Sequence, residues 1–180
     1  MLTRQPDDLG EWLADGAAFE AAGAAALCID VAPALDPLAL TAALAAVTFR
    51  SLLITGLPAA GSPAIARTLG TIEQLSRGRL RVLADDIPPG ELDDIALRLG
   101  AFRRVSRDPD VFEHTHASAE AERWISVPSP DSRVAWRQTL LDAAERDPAG
   151  LLVPVGPRLL DILRNPGDQG GRRDLHLAQG

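Results

Sequence analysis

The sequence predicts one α/β domain built on a parallel sheet, with about six βα units in succession. Three observations carry that expectation. Short, wholly apolar runs such as "AALCIDV" (25–31) and "RSLLITG" (50–56) suit strands covered on both faces. Segments with helical apolar spacing alternate with these runs, joined by short connections that fit right-handed crossovers. No linker or change of composition divides residues 1–166, so they read as a single domain.

The elements follow in order. Residues 7–22 carry Leu9, Trp12, Leu13 and Phe19 at helical spacing, Gly23 is the stop, and "AALCIDV" is the first strand. "DPLALTAALAAV" (36–47) begins a helix with Asp36 as N-cap and Pro37 at the first helical position, before the strand "RSLLITG". In "SPAIARTLGTIEQLSRGRLRV", Ser62 is the expected cap. Ile65, Leu69, Ile72 and Leu75 form the buried stripe, Gly78 is the left-handed stop, and a strand follows. A helix at 89–99 and a strand at 102–106 repeat the cycle. The polar stretch "RDPDVFEHTHASAEAE" (107–122) reads as a loop. The strand "RWISVP", a helix at 132–146, the strand "GLLVPV" and the helix "PRLLDILR" complete the series. Residues 167–180, rich in Gly, Asp and Arg, are expected to be a disordered tail.

Composition narrows the function classes. A net charge of −7 without a basic patch argues against a nucleic-acid footprint. All 18 basic residues are arginine, a bias expected of a GC-rich coding background, which takes functional weight off any single arginine. One cysteine, Cys28, excludes an internal disulfide and suits a reducing cytoplasm. "MLTRQPDDLGEW" has no apolar signal core, and no run approaches the roughly 18 residues of a membrane span. The expected setting is cytoplasmic, with no membrane association. At 180 residues the chain is also short for an eight-fold barrel, which typically needs about 250.

Three stretches, "AAFEAAGAAALCID", "DPLALTAALAAVTFRSLLITG" and "PAIARTLGTIEQLSRGRLRV", resemble the luciferase-like family of flavin-dependent monooxygenases over residues 11–82. Gly23, Asp36, Pro37, Ala46, Thr48, Thr55, Gly56, Ala66, Arg67, Thr71, Leu75, Ser76, Gly78 and Arg79 fall on the family pattern. The resemblance implies an abbreviated (β/α) TIM-barrel-like domain. It implies a flavin-dependent oxidoreductase acting on a small organic substrate, with FMN or a deazaflavin at the carboxyl ends of the strands. Because that family includes shortened flavoproteins, the alternative is a truncated, non-catalytic member serving as a flavin-binding or protein-interaction module. An incomplete barrel exposes sheet edges and apolar helix faces, so a homo-oligomer is expected either way. The chain departs from the family in four places, one being that most of the family's middle, which supplies substrate and flavin contacts, is absent. Its first strand is missing, Asp85 and Asp86 replace a glycine-rich turn, and Arg81 replaces an apolar residue.

Four groups of residues are candidates for chemistry. Thr55 and Gly56 end a strand where the family faces its flavin, and a glycine there admits a flat ring; the plain alternative is a strand-to-helix turn. Gly156 and Arg158, in "VGPRLL", open a helix and could take the FMN phosphate, although Pro157 removes one donor; otherwise this is an ordinary proline-started helix. His114 is the one general-base candidate, and His116 lies two residues on; the simpler reading makes both loop histidines without a third metal ligand. Trp124 and Trp136 could wall a flavin or an aromatic substrate, against the alternative of core packing. No metal site is expected, because no zinc spacing occurs, and neither a phosphate loop nor a nucleophile elbow is present.

Overall fold

Three helices begin at a capping side chain: Asp8, Asp36 and Ser132. The structure, a computed structural model, describes residues 8–29, 35–57, 63–84, 98–116 and 120–166. Helix α1 (Leu9–Ala21) starts at Asp8, whose carboxylate accepts from the backbone N–H of Gly10 and Glu11. It buries Trp12, Gly16 and Phe19 along one stripe and stops before Gly23, which has φ +94°. Strand β1 (Ala26–Ile29) follows. Helix α2 (Pro37–Val47) has Asp36 as its cap, with Pro37 in the first turn, and leads to β2 (Leu52–Gly56).

Helix α3 (Pro63–Ser76) ends on two left-handed residues, Arg77 at φ +56° and Gly78 at φ +82°, and hands over to β3 (Leu80–Leu83). Its buried positions are Leu69, Ile72 and Ser76, and Leu75 is exposed, contrary to the expected stripe. The inward spacing of 3 and then 4 residues brings Ser76 rather than Leu75 under the helix. The expected cap Ser62 and most of the expected helix at 89–99 lie outside the described residues. Arg98 and Leu99 are helical, and Gly100 at φ +78° turns the chain into β4 (Ala101–Val105).

The expected loop at 107–122 is a strand for half its length. Strand β5 (Asp108–Thr115) returns from β4 through Ser106 and Arg107 and pairs antiparallel with both β4 and β6 (Glu122–Ser126). Helix α4 (Arg133–Ala144), capped by Ser132, then leads to β7 (Gly150–Leu152), and α5 (Leu159–Arg164) closes the series.

The seven strands lie in chain order in one sheet. Four neighbouring pairs are parallel, and the β4–β5 and β5–β6 pairs are antiparallel, so the expected six parallel βα units are not all present. The sheet curls into a half-barrel, and β1 and β7 are its two edge strands. On its inner face Cys28, Ile54, Phe102, Phe112, Trp124 and Leu152 pack as one cluster. On its outer face α1, α2 and α5 cover Leu27, Ile29 and Leu53, while α2 and α3 cover Leu80, Val82 and Ala101.

The turn between α2 and β2, residues 48–51, is closed by two distant side chains. Glu20 on α1 accepts the backbone N–H of Phe49, Arg50 and Ser51, the last two at 2.7 Å. Arg79 donates to the carbonyls of Thr48 and Ser51, both at 2.7 Å, and to that of Ser76. Three of the turn's backbone N–H groups therefore go to one charged side chain and two of its carbonyls to another.

Candidate functional site

The curl of the sheet leaves a seam between its edge strands. A cavity of about 280 Å³ fills that seam, floored by β1 and β7 and walled by Phe19, Trp124, Trp136, Leu140, Leu159 and Leu163. Cys28 also reaches it. Among the described residues, no charged side chain lines it. Such a volume stands at the small end of ligand pockets, and its lining selects an apolar, flat or slender guest.

Trp124 is the wall with the most constrained geometry. On β7 a Cβ at Gly150 would meet the indole at 2.6 Å, so only glycine lets that ring lie against the strand. The edge of the ring meets Phe102, with centroids 5.3 Å apart and planes at 83°. Its Nε1–H points to Glu122 Oε2 at 3.4 Å. This bond connects the apolar cavity to a group of polar side chains.

That group occupies the amino end of the parallel strands. Glu122 begins β6, and the antiparallel register places it opposite His114 on β5. His114 Nδ1 lies 3.0 Å from Glu122 Oε2, and the imidazole stacks on Phe102 with centroids 4.4 Å apart. The hydrogen bonds from His114 and Trp124 hold the Glu122 carboxyl below the usual carboxylate range; partial burial opposes them, and the nearby His114 and Arg81 add to the lowering. Arg81, which shares a register row with Ile54 and Cys28, is buried on the same inner face. Its Nη1 donates to the carbonyls of Leu80 and Gly78. Burial lowers its pKa, while Glu73 and Glu122 oppose that effect. Arg81 Nε and His114 Nε2 are buried with no hydrogen-bond partner. Burial, and then the charge of Arg81, pushes the His116 imidazole below its ordinary range.

His114 is thus a buried strand residue, not the loop residue its polar neighbourhood suggested. With a carboxylate on Nδ1, the other ring nitrogen, Nε2, is buried, and His114 does not line the cavity. The other candidates are dispersed. Thr55 is fully buried and shares its row with Ile29 and Val82, so its side chain faces the helices; its Oγ1 donates to Gly56 O. Gly56, one residue on, ends β2 on the inner face. Gly156 follows β7 and packs against Ser129, and Arg158 is exposed with Nη1 donating to Asp131 O. Asp85 and Asp86 lie outside the described residues. Among the described residues no cluster of three or more potential metal ligands occurs, and no helix is long and apolar enough to cross a membrane.

Sequence reasoning named both tryptophans and His114 but passed over Glu122 and Gly150. The alternation Glu122, Trp124, Ser126 carries that information, because alternate strand residues share one face. No protein-family model matches the chain, and no curated protein does.

Proposed function

We propose that the chain is a luciferase-like half-barrel that binds FMN or a deazaflavin by its ring system in the seam between β1 and β7. On this reading it serves as a flavin-dependent oxidoreductase of a small organic substrate. The supporting observation is the uncharged cavity of about 280 Å³ walled by Trp124 and Trp136. Among the described residues the lining fits a flat aromatic ring and offers no cation for a phosphate. If bound there, a reduced flavin of the luciferase-like class would supply the electrons that reduce dioxygen, the oxidant of the substrate. The chain's own part is to exclude water from the ring with Phe19, Leu152 and Leu159, and to wall it with the Trp124 indole, which Glu122 and His114 hold from behind.

Because the ring carries the recognition, riboflavin is expected to bind within about threefold of FMN, less than one charge-assisted hydrogen bond would contribute. Desalting after incubation with FMN or deazaflavin, followed by absorbance and melting temperature, checks the reading. Retained flavin with a raised melting temperature is the expected result. Loss of all colour with an unshifted melting curve contradicts it.

The second reading, an interaction module, is favoured by the outer face of α4. Val134 and Leu141, one heptad apart, are 72% and 65% exposed, while Trp136 and Ala143 face inward. Arg137 flanks this stripe on one side and Asp142 on the other. A two-fold axis parallel to the helix sets Arg137 of one copy against Asp142 of a second, which commits the face to self-association. Light scattering is expected to show a dimer, dissociated by Leu141→Arg. Arg137→Asp or Asp142→Arg alone should weaken it, and the two together should restore it. A monomeric native chain rules this pairing out.

A further inference from the structure

We infer that Glu122, gripped by His114, is the positioning residue that sets the Trp124 indole as the wall of the seam cavity. Four contacts make a continuous chain. Phe102, fully buried, stacks on the His114 ring at 4.4 Å and leaves the imidazole little rotational freedom. Nδ1 of that ring fixes Glu122 Oε2 at 3.0 Å. The same oxygen accepts Trp124 Nε1–H at 3.4 Å. The indole so held lies against Gly150 and lines the cavity.

The side chains differ in their own restraint. His114 is enclosed on every side, whereas the Glu122 side chain is 53% exposed. Left alone, a half-exposed glutamate samples several rotamers, and its carboxylate would not stay under the indole. The imidazole supplies the missing constraint. Without the acceptor, the indole N–H is an unpaired donor at a buried ring, and the ring gains by turning that atom towards water. The turn moves the aromatic face away from Gly150 and changes the cavity's width.

The arrangement is sensitive to protons. The groups facing it are Arg81 from β3, Glu73 from α3 and His116 just past β5, with Arg104 of β4 over the Phe112 ring. Glu122 is held below the usual carboxylate range, so its carboxylate grips the indole at neutral pH. The grip is lost as pH falls through that lowered pKa.

The test uses the full chain with Trp12→Phe and Trp136→Phe, so that Trp124 alone emits. Glu122→Ala and His114→Ala should shift its emission to the red and raise acrylamide quenching several-fold, with far-UV circular dichroism unchanged. His114→Asn, which keeps a donor near Nδ1, should restore the native signal. In the otherwise native background the same red shift should appear on acidification before the secondary structure melts, and Glu122→Gln should abolish that transition. Unchanged emission and quenching in both alanine variants overturn the inference; should either variant fail to fold, an acid transition that survives Glu122→Gln does the same. The binding arm rests on the flavin reading: Glu122→Ala should weaken riboflavin binding about tenfold, the equivalent of one lost hydrogen bond. A moved Trp124 signal without any riboflavin binding leaves the positioning role standing and removes the flavin reading.

Discussion

Replacing Glu20 by glutamine is expected to lower the unfolding free energy at neutral pH by about 2–3 kcal/mol. Glu20 is 8% exposed and accepts three consecutive backbone N–H groups, those of Phe49, Arg50 and Ser51. Burial by itself would push the carboxyl up. The N–H bonds of Ser51, Arg50 and Phe49 outweigh it and hold the pKa at about 2, against an ordinary 4.5. That depression corresponds to about 3 kcal/mol of folding free energy. Its folded-state pKa is lowered, so the contribution is complete above 4.5 and disappears as pH falls from 4.5 towards 2. Urea melts should therefore show the native chain well above Glu20→Gln at neutral pH and close to it near the acid limit. Curves that keep a constant separation at all pH values contradict this account.

The second large effect belongs to Arg79. Its guanidinium donates to the carbonyls of Ser76, Ser51 and Thr48, each at 2.7 Å, and so ties the ends of α2 and α3 to the start of β2. A lysine retains the charge but not the planar fork, so Arg79→Lys should cost about 2 kcal/mol and Arg79→Met about 3. Burial lowers the Arg79 pKa and the Glu20 charge opposes it, a sign that the two groups interact across the turn they both close. Their double exchange should cost less than the sum of the single ones, because the first already releases residues 48–51. Strict additivity in denaturant melts would show the two closures to be independent.

Arg79 shows the structural role of several residues on which the expected resemblance rests. Thr48, Ser76, Gly78 and Arg79, all on the family pattern, meet at this junction: Arg79 binds Thr48 and Ser76, and Gly78 makes the turn that aims it. The resemblance is carried by residues that build the wall of the half-barrel. Such wall chemistry is local and legible, as are the cap at Asp36 and the strands β1 to β3.

Strand β5 was not legible for physical reasons. Its turn, Ser106 and Arg107, lacks the glycine or asparagine that marks a two-residue hairpin. Pro109 near its start argues against a strand, and the charged residues Asp108, Asp110 and Glu113 mask the inward Phe112 and His114. With β5 read as a loop, the His114–Glu122 pair was out of reach, since only the antiparallel register brings those residues together. The seam escaped for a similar reason, because it depends on the curl of the whole sheet and on Gly150 giving way to a ring from the neighbouring strand.

The central claim is that the seam between β1 and β7 takes a flat ring against Trp124. The most direct measurement is a fluorescence titration of the Trp12→Phe, Trp136→Phe chain with riboflavin and with FMN. The account predicts saturable, one-to-one quenching of Trp124 by both, with closely matched affinities. Trp124 emission that stays constant while either flavin binds, or while neither does, contradicts it.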